Sequence, residues 1–166
     1  MNIKVKRTNK DAVIPVFAHD TDSGFDFFTV EDTFVEAGKK AILKTGLILD
    51  IPNGWGIQIK NKSGITIKGC PIVPINMIVK KDYVLIDTID KADITVFEGT
   101  IDMSYRGEIS IMVKNEEDFD ITIPKHTKIA QGVLRKVYHC TFEDVEEIEV
   151  NTDRGANGYG SSGMTI

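Results

Sequence analysis

The chain has few of the residues that build metal clusters or disulfide frameworks. Of 166 residues, two are cysteine (Cys70 and Cys140) and three are histidine (His19, His126 and His139). No CxxC pair occurs, and no histidine lies at a metal-ligand spacing from another His or Cys, which argues against a zinc site or a stapled scaffold. Positive charge is also short. Lys and Arg number 20 against 25 Asp and Glu, a net charge of −5, which argues against stable nucleic-acid binding. No apolar run approaches membrane-spanning length, and the opening MNIKVKRTNK alternates and carries too many charges for a secretory h-region. A cytoplasmic protein with free thiols and no membrane contact is expected. Nucleophile signatures are missing too. There is no GxSxG, and the only Gly-Lys pair, Gly38-Lys39, is followed by Lys40 where a Walker A motif needs Ser or Thr.

What is present has a period of two. Ile3 and Val5 alternate with lysines, Ile109, Ile111 and Val113 recur at every second position, and so do Ile121 and Ile123. Clusters of Gly, Pro, Asn and Asp separate these runs, and no sustained 3.6-residue stripe appears. With 42% apolar and 27% charged residues, the chain reads as one all-β domain over residues 1–166, a sandwich or barrel of short strands. Between 68 and 97, Pro71 and Pro74 reject a central strand, and a hairpin is expected around Asp90-Lys91-Ala92-Asp93. The stretch TFEDVEEIEV fits either a short helix or an extended acidic segment.

Five short segments hold polar residues among glycines. In DSGFDFFT, Asp26 lies between Phe25 and Phe27, as a turn residue or as a charge held near a site. In GIQIKNKSGI, Lys62, Ser63 and Gly64 supply an ammonium, a hydroxyl and an unhindered N–H, a turn able to wrap an anion. EGTIDMSYRGEI reads as a hairpin bending at Met103-Ser104 and resuming at Glu108, with Asp102 and Tyr105 near the bend. A carboxylate there can orient or deprotonate a water; a plain solvated hairpin is the alternative. TKIAQGVLRKV is a strand with one uncharged polar residue, Gln131, in its apolar run. The last, RGANGYGSSG at 154–163, is either slack chain or an arm that closes over a phosphate-bearing ligand.

Taken in order, these segments resemble the motifs of the homotrimeric dUTPase family, which approximate AGxDL, PRSGL, GVIDxxYRGE, IAQLV and RGxGGFGSTG. Here they are SGFDF at 23–27, NKSGI at 61–65, GTIDMSYRGE at 99–108, IAQGV at 129–133 and RGANGYGSSG at 154–163. The resemblance implies a jelly-roll-like dUTPase fold with a flexible C-terminal arm over 150–166. It implies hydrolysis of dUTP to dUMP and pyrophosphate with Mg²⁺, by attack of water at the α-phosphorus, which limits uracil in DNA and supplies dUMP. It further implies a homotrimer whose active sites lie between subunits. In that scheme Asp102 orients and deprotonates the water. Gly99, Thr100, Ile101 and Ile109 read the uracil edge through their backbone, and Tyr105 packs on the deoxyribose. Lys62, Ser63, Gly64, Gln131 and Arg154 hold the triphosphate. Tyr159 caps the base, Gly160, Ser161 and Ser162 offer donors, and Asp26 supports the metal through water or buttresses the nearby carboxylate.

Several positions depart from the pattern. Lys62 stands for the usual Arg, Asn61 for Pro, Gly132 for Leu and Tyr159 for Phe. About twenty additional residues, 72–92, separate the second motif from the third. They read as a surface insertion, or as a docking element for another protein of the kind that some phage enzymes of the family carry; a phage member would work in the host cytoplasm. Two rival functions are a dCTP deaminase of the same fold, which lacks the terminal arm, and a regulatory protein that binds dUTP without turnover.

Overall fold

Period-two alternation gives each strand one apolar face, and two such faces closed on each other make a core. The computed structural model describes residues 1–81, 83–149 and 151–156, with the backbone alone over 77–81 and 83–87. The first strands are β1 (Lys4–Arg7), β2 (Gly24–Phe28), β3 (Thr33–Val35), β4 (Lys40–Lys44), β5 (Leu47–Asp50) and β6 (Trp55–Lys60). A short helix α1 (Ser63–Lys68) precedes the long strands β7 (Cys70–Lys81) and β8 (Tyr83–Ala92). Then follow β9 (Ile94–Val96), β10 (Gly99–Ile101), β11 (Ser110–Asn115), β12 (Ile121–Ile123) and β13 (Lys128–Lys136).

One sheet runs β10-β6-β13-β2 and another β4-β11-β9, while β1-β5, β12-β3 and β7-β8 form two-stranded pairs. The all-β expectation holds. The alternating positions Ile109, Ile111, Val113, Ile121 and Ile123 are buried, and they meet Phe27, Leu43, Leu47, Ile57 and Ile129 in the core. Each such side chain contributes roughly 1.5–3 kcal/mol of burial. The buried Asn115 is fully engaged: its amide nitrogen donates to the carbonyls of Val35, Glu36 and Phe119, and its oxygen accepts from Glu117 N. No helix among the described residues is long and apolar enough to cross a membrane.

Two expectations need correction, and one pair of alternatives resolves. Residues 63–68 form a helix, too short to leave a period in the sequence and burying only Ile65. Of the two readings of the acidic stretch, the helical one falls away: 141–149 carries neither helix nor strand. The hairpin does not turn at Asp90–Asp93, because β8 continues to Ala92 and its pairing with β7 extends outward to Lys81↔Tyr83. Pro71 and Pro74 are accommodated in β7 because the ribbon has only two strands, with a register break between Pro71 and Ile75. The ribbon's root belongs to the core. Cys70, Ile72 and Ala92 are buried there, and burial pushes the Cys70 thiol up to about 12.

Candidate active site

The sheet β10-β6-β13-β2 brings three of the five motifs to one place. Register pairs Asp26 with Gln131 and Gln131 with Lys60, and partners directly opposite share a sheet face. Asp26 is 1% exposed, yet it carries charge. Lys62 Nζ donates to its Oδ1 at 2.7 Å, and Lys128 Nζ lies 2.9 Å from its Oδ2, off the line of a hydrogen bond. Burial alone would raise the Asp26 pKa; the two ammonium groups outweigh it and hold the carboxyl below the usual Asp value. With both oxygens facing ammonium groups, Asp26 is a poor ligand for a cation. Among the described residues, no three of His, Cys, Asp and Glu gather to hold a metal ion.

The second motif is fixed from within. Asn61 Nδ2 donates to Thr66 Oγ1 at 3.0 Å, tying the chain before α1 to its second turn. Lys62 itself is extended, and Ser63 and Gly64 are exposed in the first turn. The departure at Gly132 has a steric cause. A Cβ there would lie 2.5 Å from the ring of Phe25 and 2.7 Å from that of Phe27. The rings of Phe25 and Phe27 together take the space that a Leu at 132 would need.

The third motif does not form a hairpin. β10 pairs with β6, whereas β11 pairs with β4 and β9, so the connection crosses from one sheet to the other and the strand resumes at Ser110, not Glu108. The divergence opens a cleft of about 210 Å³ lined by Thr100, Ile101, Asp102, Tyr105, Glu108 and Ile109, among others. β10 is the edge of its sheet, and an edge strand leaves alternate N–H and C=O groups unpaired. Among the described residues, the Asp102 side chain makes no hydrogen bond or ion pair. Its carbonyl accepts from Tyr105 N at 3.0 Å, closing the turn. Ile109 cannot read a base with its backbone, since its N–H donates to Leu47 O and its C=O accepts from Thr45 N and Oγ1.

Three residues that sequence reasoning passed over brace this loop. The Arg106 guanidinium donates to the carbonyls of Met103 and Tyr105 and to Asp50 Oδ1 at 2.7 Å. Glu108 accepts from Gly46 N at 2.9 Å, and Thr45 holds Ile109. Their sequence signal was the charged pair of the YRGE motif, Arg106 and Glu108.

The two clusters lie apart. Ile101 pairs with Ile57 near the start of β6, whereas Gln131 pairs with Lys60 at its end, and Asp102 and Lys62 continue outward from these opposite ends. About five residues of strand separate them, roughly 17 Å at the usual rise. Of the fifth motif, Arg154 lies exposed beside a turn that Gly155 N closes on Thr152. Tyr159, Gly160, Ser161 and Ser162, and most of the predicted arm, lie outside the described residues.

The dUTPase family model matches residues 88–163. The deoxyuridine 5'-triphosphate nucleotidohydrolase of Clostridioides difficile is 33% identical, covering 98% of this chain and 99% of its own length. The chain belongs to the dUTPase family. Helicobacter pylori has a relative of the same name, 29% identical over 99% of both chains. Among solved structures, a Staphylococcus bacteriophage 80alpha dUTPase mutant with dUpNHpp superimposes with a TM-score of 0.78 at 25% identity, covering 98% of each chain. The dUTPase of phage phi11 of S. aureus, described with a species-specific insert, shares the fold at a TM-score of 0.71 and 22% identity over 90% of this chain and 99% of that one.

Proposed function

We propose that this dUTPase-family chain hydrolyses dUTP to dUMP and pyrophosphate in sites assembled from more than one copy, in a homotrimer. The observation that carries this reading is the placement of Asp102, an uncompensated carboxylate at the rim of a cleft walled by an unpaired strand edge. Gly99, Thr100 and Ile101 read the uracil edge from β10, whose outward backbone groups need no particular side chain. Cytosine would mismatch them, at about 1–3 kcal/mol for each buried group left unpaired. Tyr105, 47% exposed and held by its OH on Glu108 O, packs on the deoxyribose. Ile109 lines the cleft.

Asp102 accepts a proton from the attacking water as the new O–P bond forms. The bond from the α-phosphorus to the bridging oxygen breaks, and pyrophosphate leaves with the electron pair. In-line displacement puts nucleophile and leaving group on opposite sides of the phosphorus. One chain supplies Asp102 and another supplies Lys62, Ser63, Gly64 and Gln131, which explains why the two sets sit at opposite ends of β6 in a single copy. The expected Mg²⁺ is assigned to the oxygens of the triphosphate and to water, where it would neutralise charge. Asp26 is assigned to Lys62 and Lys128. Arg154, Tyr159, Gly160, Ser161 and Ser162 close the site as the arm.

A neighbour is also suggested by the segment after β13. Tyr138, Phe142 and Ile148 are 82%, 95% and 79% exposed, in a stretch with no strand partner among the described residues. Apolar side chains so far out of water's shelter call for a surface to cover them. The experiment is direct: pyrophosphate released from dUTP with Mg²⁺, and a loss of about 10²–10⁴-fold in Asp102→Asn. Ammonia from dCTP, or dUTP binding without turnover, would refute the reading.

A further inference from the structure

The largest groove beside Lys62 is more cationic than the motif residues account for. It measures about 470 Å³, and Lys62, Lys68, Lys91, His126 and Lys128 line it. Among the described residues, no carboxylate lines the groove, and Asp26, paired with Lys62 and Lys128, compensates one of four ammonium charges. This concentration of positive charge stands against a net charge of −5 for the whole chain. Lys68 and Lys91 make no ion pair among the described residues, so neither is there to stabilise a local carboxylate.

Their meeting is built into the backbone. Lys68 ends α1, and Lys91 lies near the end of β8, at the root of the ribbon. Gly69 joins the two by close approach. Its φ is 78°, and a Cβ there would lie 3.2 Å from Lys91 Cβ and 3.3 Å from Ala92 O. Across the groove, His126 holds the only positive φ of a non-glycine residue among the described ones, 64°. Its N–H donates to Thr29 O, and its Nε2 donates to the carbonyl of Asp11. The imidazole Nε2 is therefore engaged by the fold, and among the described residues the ammonium groups of the groove without an ion pair are those of Lys68 and Lys91.

We infer that Lys68 and Lys91, with Lys128, form a diphosphate-binding groove that extends the Lys62 site. This rests on the hydrolysis reading above, since the anion next to Lys62 in that reaction is the departing pyrophosphate. Ammonium groups are compact charges on flexible stems, suited to following a leaving group as it moves away. The diphosphate has two sources: the product itself, or the terminal phosphates of the intact substrate.

Calorimetric titration of the full chain with inorganic pyrophosphate tests the groove, in parallel with a non-hydrolysable α,β-imido analogue of dUTP. A Lys68→Gln/Lys91→Gln double variant that keeps its circular dichroism should bind pyrophosphate at least tenfold more weakly. Lys68→Arg/Lys91→Arg should stay within about threefold of the parent. A loss confined to pyrophosphate assigns the groove to the product, and a loss for both ligands assigns it to the substrate's terminal phosphates. Equal pyrophosphate affinity in parent and Gln variant overturns the inference, even if dUTP turnover is normal. Absence of turnover in the parent overturns the hydrolysis reading and leaves the titration to judge the groove alone.

Discussion

Asp26 shows how a residue-scale arrangement sets a measurable property of the whole fold. Its carboxyl titrates below the ordinary Asp value in the folded state because two ammonium groups outweigh its burial. The ionised form therefore stabilises the fold at every pH above the unfolded value of about 3.9, and that stabilisation fades as pH falls through the lower folded value. Asp26→Asn should cost about 1–3 kcal/mol near neutrality, discounted because both lysines are partly exposed. Its stability should also fall less steeply between pH 4 and more acid conditions. Urea melts across that range would show it, and parallel acid limbs for parent and variant would contradict the argument. The rings of Phe25 and Phe27 over Gly132 make a second residue-scale prediction. Gly132→Leu should overpack the core by about 1–3 kcal/mol, and adding Phe25→Leu, which removes the nearest ring, should recover part of the loss. Additive losses in that cycle would mean the two positions do not share the space.

At the scale of elements, the ribbon and the body differ in what they owe the core. Replacing 76–88 by a two-residue Asn-Gly turn lets the paired Ile75 and Ile89 close the ribbon and spares Cys70, Ile72 and Ala92, so the melting temperature should drop by only a few degrees. Extending the deletion to 70–92 removes buried groups and should leave no cooperative transition. Thermal melts of the two shortened chains decide it. Element scale is also where the sequence was least complete. Strands with an unbroken period, Ile109 to Val113 and Ile121 to Ile123, were legible because alternation is the signature of one buried face. Helix α1 was not, because six residues with one buried side chain carry no period. The third motif looked like a hairpin because a polar turn between two apolar runs has the same signal whether its arms pair or part. Only the pairing of β10 with β6 and of β11 with β4 distinguishes them. The motif residues themselves were visible, but their bracing by Arg106, Glu108 and Thr45 depends on contacts with β5 and the turn before it, far away in sequence.

At the scale of the whole molecule, the division of the site along β6 makes activity a property of an assembly. A chain cut after Asp153 should fold yet turn over little dUTP, and so should full-length Asp102→Asn. Mixed and allowed to exchange subunits, the two should regain part of the activity. A mixture that exchanges but stays inactive would mean that each copy completes its own site.

The two cysteines turn this architecture into a pair of chemical reporters. Cys140 is exposed on the segment that follows β13, whereas Cys70 is sealed at the ribbon's root with its thiol pushed up to about 12. A maleimide should therefore label one sulfur per chain at neutral pH, placing a dye on the stretch proposed to meet a neighbour. Labelling of the second sulfur would begin only when the ribbon lifts from the body, so its rate would time that opening against global unfolding.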